Sequence, residues 1–166
     1  MAQAVGKFSG KVALITGASS GIGAATAILF SKLGADLSIT GRNLENLQRT
    51  AENCSPGQPG QKPPLLIQAD LMNESDTATL VQKTIEKFGR LDILVNNAGV
   101  LEMGSIENTS LEQYDRIMNV NVRAVYQITM LATPYLIQTK GNIVNISSVN
   151  GIRSVSQNYF SGSPML

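Results

Sequence analysis

The sequence predicts an α/β fold, a doubly wound parallel sheet, on three observations. Short β-rich runs alternate with longer helical patterns along the chain. The runs are almost uniformly apolar, as strands are when both faces of a parallel sheet are covered. A Gly-rich turn leads directly from the first run into the first helix, the place where open sheets of this class take their ligands. Right-handed crossovers then wind such strands into one sheet.

Lys11 to Thr16 (KVALIT) is the first expected strand. A helix is expected over Ala24 to Leu33, closed by Gly34. Asp36 to Thr40 (DLSIT) is the second strand. The next helix opens at Arg42-Asn43, with Leu44, Leu47 and Ala51 on one face. Cys54 to Pro64 holds four Pro and two Gly and is expected as a surface loop. Leu65 to Ala69 (LLIQA) is the third strand. A helix starts near Asn73-Glu74, with Ala78, Val81, Ile85 and Phe88 at helical spacing, and Gly89 stops it. Leu91 to Val95 (LDILV) is the fourth strand. Ser110 and Gln113 form a capping box for a long helix reaching about Gln138. Gly141 to Ser147 is the fifth.

The long helix, 110–138, is apolar around most of its circumference, through Tyr114, Ile117, Met118, Val122, Val125, Tyr126, Ile128, Leu131, Tyr135 and Leu136. Such a helix is normally buried on more than one side. An intramolecular core and a subunit interface, with a like or an unlike partner, both satisfy that pattern.

Composition excludes several classes of function. Lys+Arg 13 against Asp+Glu 12, with the basic residues dispersed, leaves no nucleic-acid footprint. There is no His, so no His-based triad or His metal site, and one Cys with scattered carboxylates makes a metal centre an unsupported expectation. Cys54 alone cannot form an internal disulfide, which suits the cytoplasm or another reducing compartment. The first ten residues lack the apolar core of a signal peptide, and no stretch reaches the ~20 apolar residues of a membrane span.

The Gly-rich turn reads Thr16-Gly17-Ala18-Ser19-Ser20-Gly21-Ile22-Gly23. Gly17 permits a tight turn, Gly21 lets the backbone approach a pyrophosphate, and Gly23 permits close helix–strand packing. The helix N-terminus then offers free N–H groups to the anion. Strand, turn and helix in that order point to a Rossmann-like dinucleotide site. The three-residue gap between Gly17 and Gly21 departs from the general G-x-G-x-x-G spacing.

With that gap, the turn resembles the cofactor loop of the short-chain dehydrogenase/reductase family. Asp70-Leu71, Asn96-Asn97-Ala98-Gly99, Asn119-Val120-Asn121-Val122 and Gly141 to Ser148 follow in that family's order, so the resemblance covers about residues 8 to 153. It implies an oxidoreductase of a carbonyl/alcohol pair. It implies that Asp70 bonds the adenine, that Asn96 to Gly99 brace the sheet and line the nicotinamide-ribose side, and that Asn121 holds a water in a proton relay. Ser148 would donate a hydrogen bond to the substrate's carbonyl oxygen. Strand alternation points one of Ser147 and Ser148 into the cleft.

Cofactor choice turns on the end of the second strand. An acidic residue there binds the 2′-hydroxyl of NAD and repels the phosphate of NADP. Here Gly41 takes that place and Arg42 follows, with a guanidinium suited to phosphate. Asp36 stands at the wrong end of the strand. NADP is expected over NAD.

The family places a Tyr thirteen residues beyond the catalytic Ser and a Lys four residues later; the Lys brings the phenol, ordinarily near pKa ~10, toward neutral pH. In this chain that Tyr position is Ser161, the nearby Tyr is Tyr159, Ser163 stands four residues beyond it, and no Lys follows Lys140. The expected division is therefore a nucleotide-binding domain over 1–153 and a divergent, irregular tail over 154–166. Three readings stay open: a product truncated before Tyr-x-x-x-Lys, a natural binding fragment or partner subunit, and an unusual enzyme using Tyr159. Without the later strands the fifth strand is expected at the sheet edge.

Overall fold

The computed structural model describes residues 6–54, 60–105, 107–148 and the backbone of 159–160. Five parallel strands form the sheet: β1 (Val12–Ile15), β2 (Asp36–Gly41), β3 (Leu65–Gln68), β4 (Ile93–Asn96) and, after a further short strand, β6 (Asn142–Asn145). Their spatial order is β3-β2-β1-β4-β6. The expected five-stranded α/β architecture is therefore the one observed.

β1 lies at the centre, where every side chain must be apolar, and each of its four residues is buried. Its pleat serves two cores. Val12 and Leu14 join Leu80 and Val81 of α3 (Glu74–Phe88) with Ile128, Ala132 and Leu136 of α5 (Ala124–Thr139). Ala13 and Ile15 join Ala27 of α1 (Gly21–Lys32) and Leu47 of α2 (Leu44–Glu52). The fully buried positions of α1 are all small, Gly23, Ala27 and Ser31, four apart, with Ile28 and Phe30 packed beside them.

The order of strands reverses between β1 and β4, because β2 and β3 lie to one side and β6 to the other. That reversal opens a crevice at the carboxyl ends of the strands. At the opposite end, Asp92 ties the sheet together. Its buried carboxylate accepts from Lys11 Nζ at 3.0 Å, from the Val12 backbone N–H at 3.0 Å and from Arg90 through two bonds of 2.7 and 2.8 Å.

Several boundaries differ from expectation. α1 begins at Gly21, three residues early, because Gly21 and Gly23 belong to its first turn although glycine is a poor helix former. Arg42 precedes the α2 cap, Asn43, instead of lying in the first turn. The helix expected over 110–138 is three pieces: α4 (Leu111–Met118), a π-helical segment (Asn119–Arg123) and α5. A two-residue antiparallel pair, β5 (Glu102–Met103) with β7 (Tyr159–Phe160), has no counterpart among the expected elements. The remainder of the tail 154–166 lies outside the described residues, as do residues 55–59 of the Pro-rich loop.

Ile117, Ile128 and Leu136 of the long helical stretch are buried. Leu111, Tyr114, Tyr126, Met130 and Ile137 of the same stretch are exposed. All of β6 is exposed, as befits an edge. Among the described residues no helix is long and apolar enough to cross a membrane.

Candidate functional site

Two adjoining clefts occupy the crevice. The first has a volume of about 340 Å³ and is walled by the Gly17–Ile22 turn, the end of β2, Asp70 and Leu71 after β3, and Asn97 to Gly99 after β4. The second, about 290 Å³, shares Ile22 and Asn97 to Val100 with it and adds Asn121, Asn145, Ser147 and Ser148.

The wall between them is built from β1 outward. Thr16 is buried, and its hydroxyl accepts from the backbone N–H groups of Asn97 and Ala98, each at 3.0 Å. Asn97 Nδ2 donates back to the carbonyls of Thr16 at 3.0 Å and Gly17 at 3.2 Å. The Gly-rich turn and the Asn-Asn-Ala-Gly turn are thus one hydrogen-bonded unit. A Cβ on Gly17 would lie 2.8 Å from Ala98 Cα, and one on Gly23 would run into the Gly17 carbonyl. Thr16 and Gly23 stand behind the cleft wall and shape it; they do not line it.

Gly21 has a different reason. Its φ is +54°, and a Cβ there would meet nothing within 4 Å. The glycine is required by the turn's left-handed backbone, and the space beside it is open to a ligand. The helix it begins is suited to an anion. α2 is capped by Asn43 Oδ1, α4 by a Ser110–Gln113 capping box, and α3 carries Glu74 and Asp76 in its first turn. α1 has neither a side-chain cap bond from Ser20 nor an acidic first turn. Its first N–H groups and its dipole therefore remain available to phosphate.

Arg42 lines the same cleft and is exposed. Among the described residues no ion pair engages its guanidinium. It stands just ahead of a helix N-terminus, where a cation is disfavoured by the dipole, so an anionic partner would relieve it. Asp70 is held in place at both ends: its N–H donates to Asp76 Oδ2 at 2.9 Å and its Oδ1 accepts from the Met72 N–H at 3.0 Å. Leu71 continues the wall.

The Asn121 side chain is bonded to the backbone of Val100. Its Oδ1 accepts from the Val100 N–H and its Nδ2 donates to the Val100 carbonyl, both at 2.8 Å. The half-buried amide is thereby satisfied, and the π-helical segment is fastened to the loop dividing the clefts. π-turns inside helices are frequent at functional sites. Ser147 and Ser148 both line the second cleft, because β6 ends at Asn145 and strand alternation no longer governs them.

Thr40 was not found by sequence reasoning, whereas Asn96 was found as the first residue of the Asn-Asn-Ala-Gly motif. Among the described residues, Thr40 Oγ1 and Asn96 Oδ1 are buried side-chain oxygens without a hydrogen-bond partner. Thr40 lines the first cleft and Asn96 the second. Asn96 Nδ2 bonds Asn145 Oδ1 at 2.9 Å and Thr129 Oγ1 at 3.2 Å, so it holds the ends of β4, β6 and α5 together. For Thr40 a single polar residue at the end of an apolar strand was the only signal, and strand ends carry such residues commonly. With an open glycine cradle, an uncapped helix start, an unpaired guanidinium and an orphan hydroxyl, the first cleft fits a phosphate-bearing, hydroxyl-rich ligand.

Residues 11–163 match the family model for short chain dehydrogenase. The 3-oxoacyl-(acyl-carrier-protein) reductase of Thermotoga maritima is 40% identical over 150 residues, covering 88% of this chain and 58% of that protein. The glucose dehydrogenase of Caenorhabditis elegans, in its apo form, superposes with a TM-score of 0.77 at 42% identity, over 87% of this chain and 57% of that one. A metagenomic short-chain oxidoreductase solved in complex with NADP gives a TM-score of 0.82 at 34% identity, over 90% of this chain and 67% of that one. The chain thus spans little more than half the length of the first two.

Proposed function

The chain belongs to the short-chain dehydrogenase family, and on that premise we propose that its first cleft holds NADP(H) in preference to NAD(H). One observation carries the reading. The Gly17–Ile22 turn, Arg42, Asp70 and Asn97 to Gly99, scattered over the sequence, wall a single cleft. Thr16 and Gly23 set its shape from behind. The helix α1 N-terminus and Gly21 would take the pyrophosphate, Ser19 and Ser20 flanking it, and Arg42 the 2′-phosphate. Asp70 and Leu71 would border the adenine.

When bound, the nicotinamide supplies or accepts a hydride, and the family chemistry is that of a carbonyl/alcohol pair. The second cleft would seat the small substrate, with the Ser148 hydroxyl donating to its carbonyl oxygen. Asn121 keeps the dividing loop in place by holding Val100. None of Tyr114, Tyr126, Tyr135 and Tyr159 has a Lys four residues on. The family's acid is therefore lacking in these residues, and we expect this chain to bind nucleotide without appreciable turnover. Its partners would then be the cofactor and like or unlike subunits meeting on α5. Burial pushes the Cys54 thiol up.

Titration with NADPH and NADH, run beside a turnover assay on ketones and alcohols, tests both parts. Preferential NADPH binding that is lost in Arg42→Ala is the expected result. Equal affinity for the two nucleotides overturns the assignment of Arg42. Turnover by the purified chain that disappears in Tyr159→Phe would favour the unusual enzyme instead.

A further inference from the structure

The end of β2 contains a contact that Arg42 does not explain. A Cβ built on Gly41 would lie 3.0 Å from Ser19 Oγ, 3.1 Å from Ser19 Cβ and 3.6 Å from Leu47 Cδ2. Carbon atoms rest at about 3.5–4.0 Å, so the position is too tight for any side chain without a shift. Rotation of the serine cannot supply that shift. Turning about χ1 moves Oγ but leaves Cβ in place, because Cβ is fixed to the backbone.

The two backbones cannot separate freely either. The Ala18 N–H donates to the Thr40 carbonyl at 2.9 Å, one residue before the contact on each strand of chain. Thr50 Oγ1 donates to the Ala18 carbonyl at 3.0 Å from the far side. The Ala69 N–H holds the Gly41 carbonyl at 3.2 Å from β3. Ser19 and Gly41 are therefore pressed together by a hydrogen-bonded frame, in the wall of the first cleft.

Building on the nucleotide reading above, we propose that Ser19 is a specificity-determining residue: its Cβ and Oγ keep position 41 a glycine and so keep an acidic side chain out of the ribose end of the cleft. Nucleotide choice then rests on a pair, Ser19 with Gly41, in addition to the attraction exerted by Arg42. An Asp at 41 is obstructed before it can reach a ribose hydroxyl. Removal of the Ser19 side chain clears the way.

Four proteins test this: the unmutated chain, Gly41→Asp, Ser19→Gly and the double variant, each titrated with NADPH and NADH and each melted thermally. Gly41→Asp alone should lower Tm and weaken NADPH roughly tenfold or more without gaining NADH. The double variant should recover the lost Tm and bind NADH roughly tenfold better than Gly41→Asp does. A Gly41→Ala variant isolates the steric part: its loss in Tm should vanish when Ser19→Gly is added. Gain of NADH binding by Gly41→Asp alone, with Tm unchanged, overturns the proposal, and so does a double variant with no gain. An unmutated chain that binds neither nucleotide overturns the dinucleotide reading and the selectivity role with it. The Gly41→Ala melting pair still reports whether the contact exists.

Discussion

Gly21 and Gly23 stand two residues apart in the first turn of α1 and are glycine for opposite reasons. Gly23 faces protein: a Cβ would strike the Gly17 carbonyl and come within 2.5 Å of Asn97 Nδ2. Gly21 faces open space and is constrained by its φ of +54° alone. Gly23→Ala should therefore cost about 1–3 kcal/mol through overpacking and should abolish nucleotide binding as the two turns part. Gly21→Asn should fold with little loss, since Asn visits the left-handed region most readily of the side-chain-bearing residues. It should nonetheless lose NADPH, because its side chain fills the cradle. Thermal melting and a binding titration separate the two; equal Tm losses would show that the open space is not where the ligand sits. These glycines were legible in the sequence because backbone geometry leaves few alternatives at a strand–turn–helix corner. Thr40 was not, because what marks it is a missing partner in three dimensions. Arg42 was legible as a charge, whereas the pressure of Ser19 on Gly41 needed coordinates.

At the scale of elements, the buried parallel strands were readable because burial on two faces leaves a continuous apolar run. The π-helical segment was not, since its mark is a hydrogen-bond register and not a composition. The one trace it left was Asn121, a polar residue in an apolar stretch, and the two bonds to Val100 account for it. Asn121→Ala should cost about 1–3 kcal/mol for two lost hydrogen bonds and should speed exchange of the Val100 amide well before global unfolding. Unchanged exchange at Val100 would mean that the loop holds itself. The β5–β7 pair was equally unreadable: two residues against two, far apart in sequence, have no periodicity. A second joint, at the opposite end of the sheet, predicts a pH dependence. Burial alone would raise the Asp92 carboxyl, but hydrogen bonds from Arg90, the Val12 N–H and Lys11 outweigh it and hold the group below the usual carboxylate range. The folded state thus binds this proton less readily than the unfolded chain. The resulting stability is complete above the ordinary carboxylate pKa, about 4, and is shed as pH falls through and below it. Asp92→Asn should lower Tm at pH 7 and flatten the decline of Tm between about pH 5 and 3. A variant as acid-sensitive as the parent would place the dependence elsewhere.

For the molecule as a whole, the uneven ends of the sheet matter most. β3, at one edge, is packed against α2 and α3 and retains a buried Ile67. β6, at the other, leaves Ile143, Val144 and Ile146 at 38%, 41% and 38% exposure, and Tyr126, Met130 and Ile137 on α5 stand at 71%, 54% and 72%. Neither a charge nor a Pro interrupts Asn142 to Ser148, the devices by which edge strands normally resist pairing. Several apolar side chains thus lie in water, each worth about 1.5–3 kcal/mol if buried, against a net stability of only about 5–15 kcal/mol for a domain. Ile117, Ile128 and Leu136 of the long helical stretch are packed. The apolar side chains that remain exposed favour association. The purified chain should bind a hydrophobic dye and should sediment as larger species with rising concentration. Val144→Lys, which places a charge on the open strand, should reduce both effects at a small cost in Tm, because Val144 is 41% exposed. A sharp, concentration-independent transition from a dye-negative monomer would show that residues outside those described shield the β6 edge.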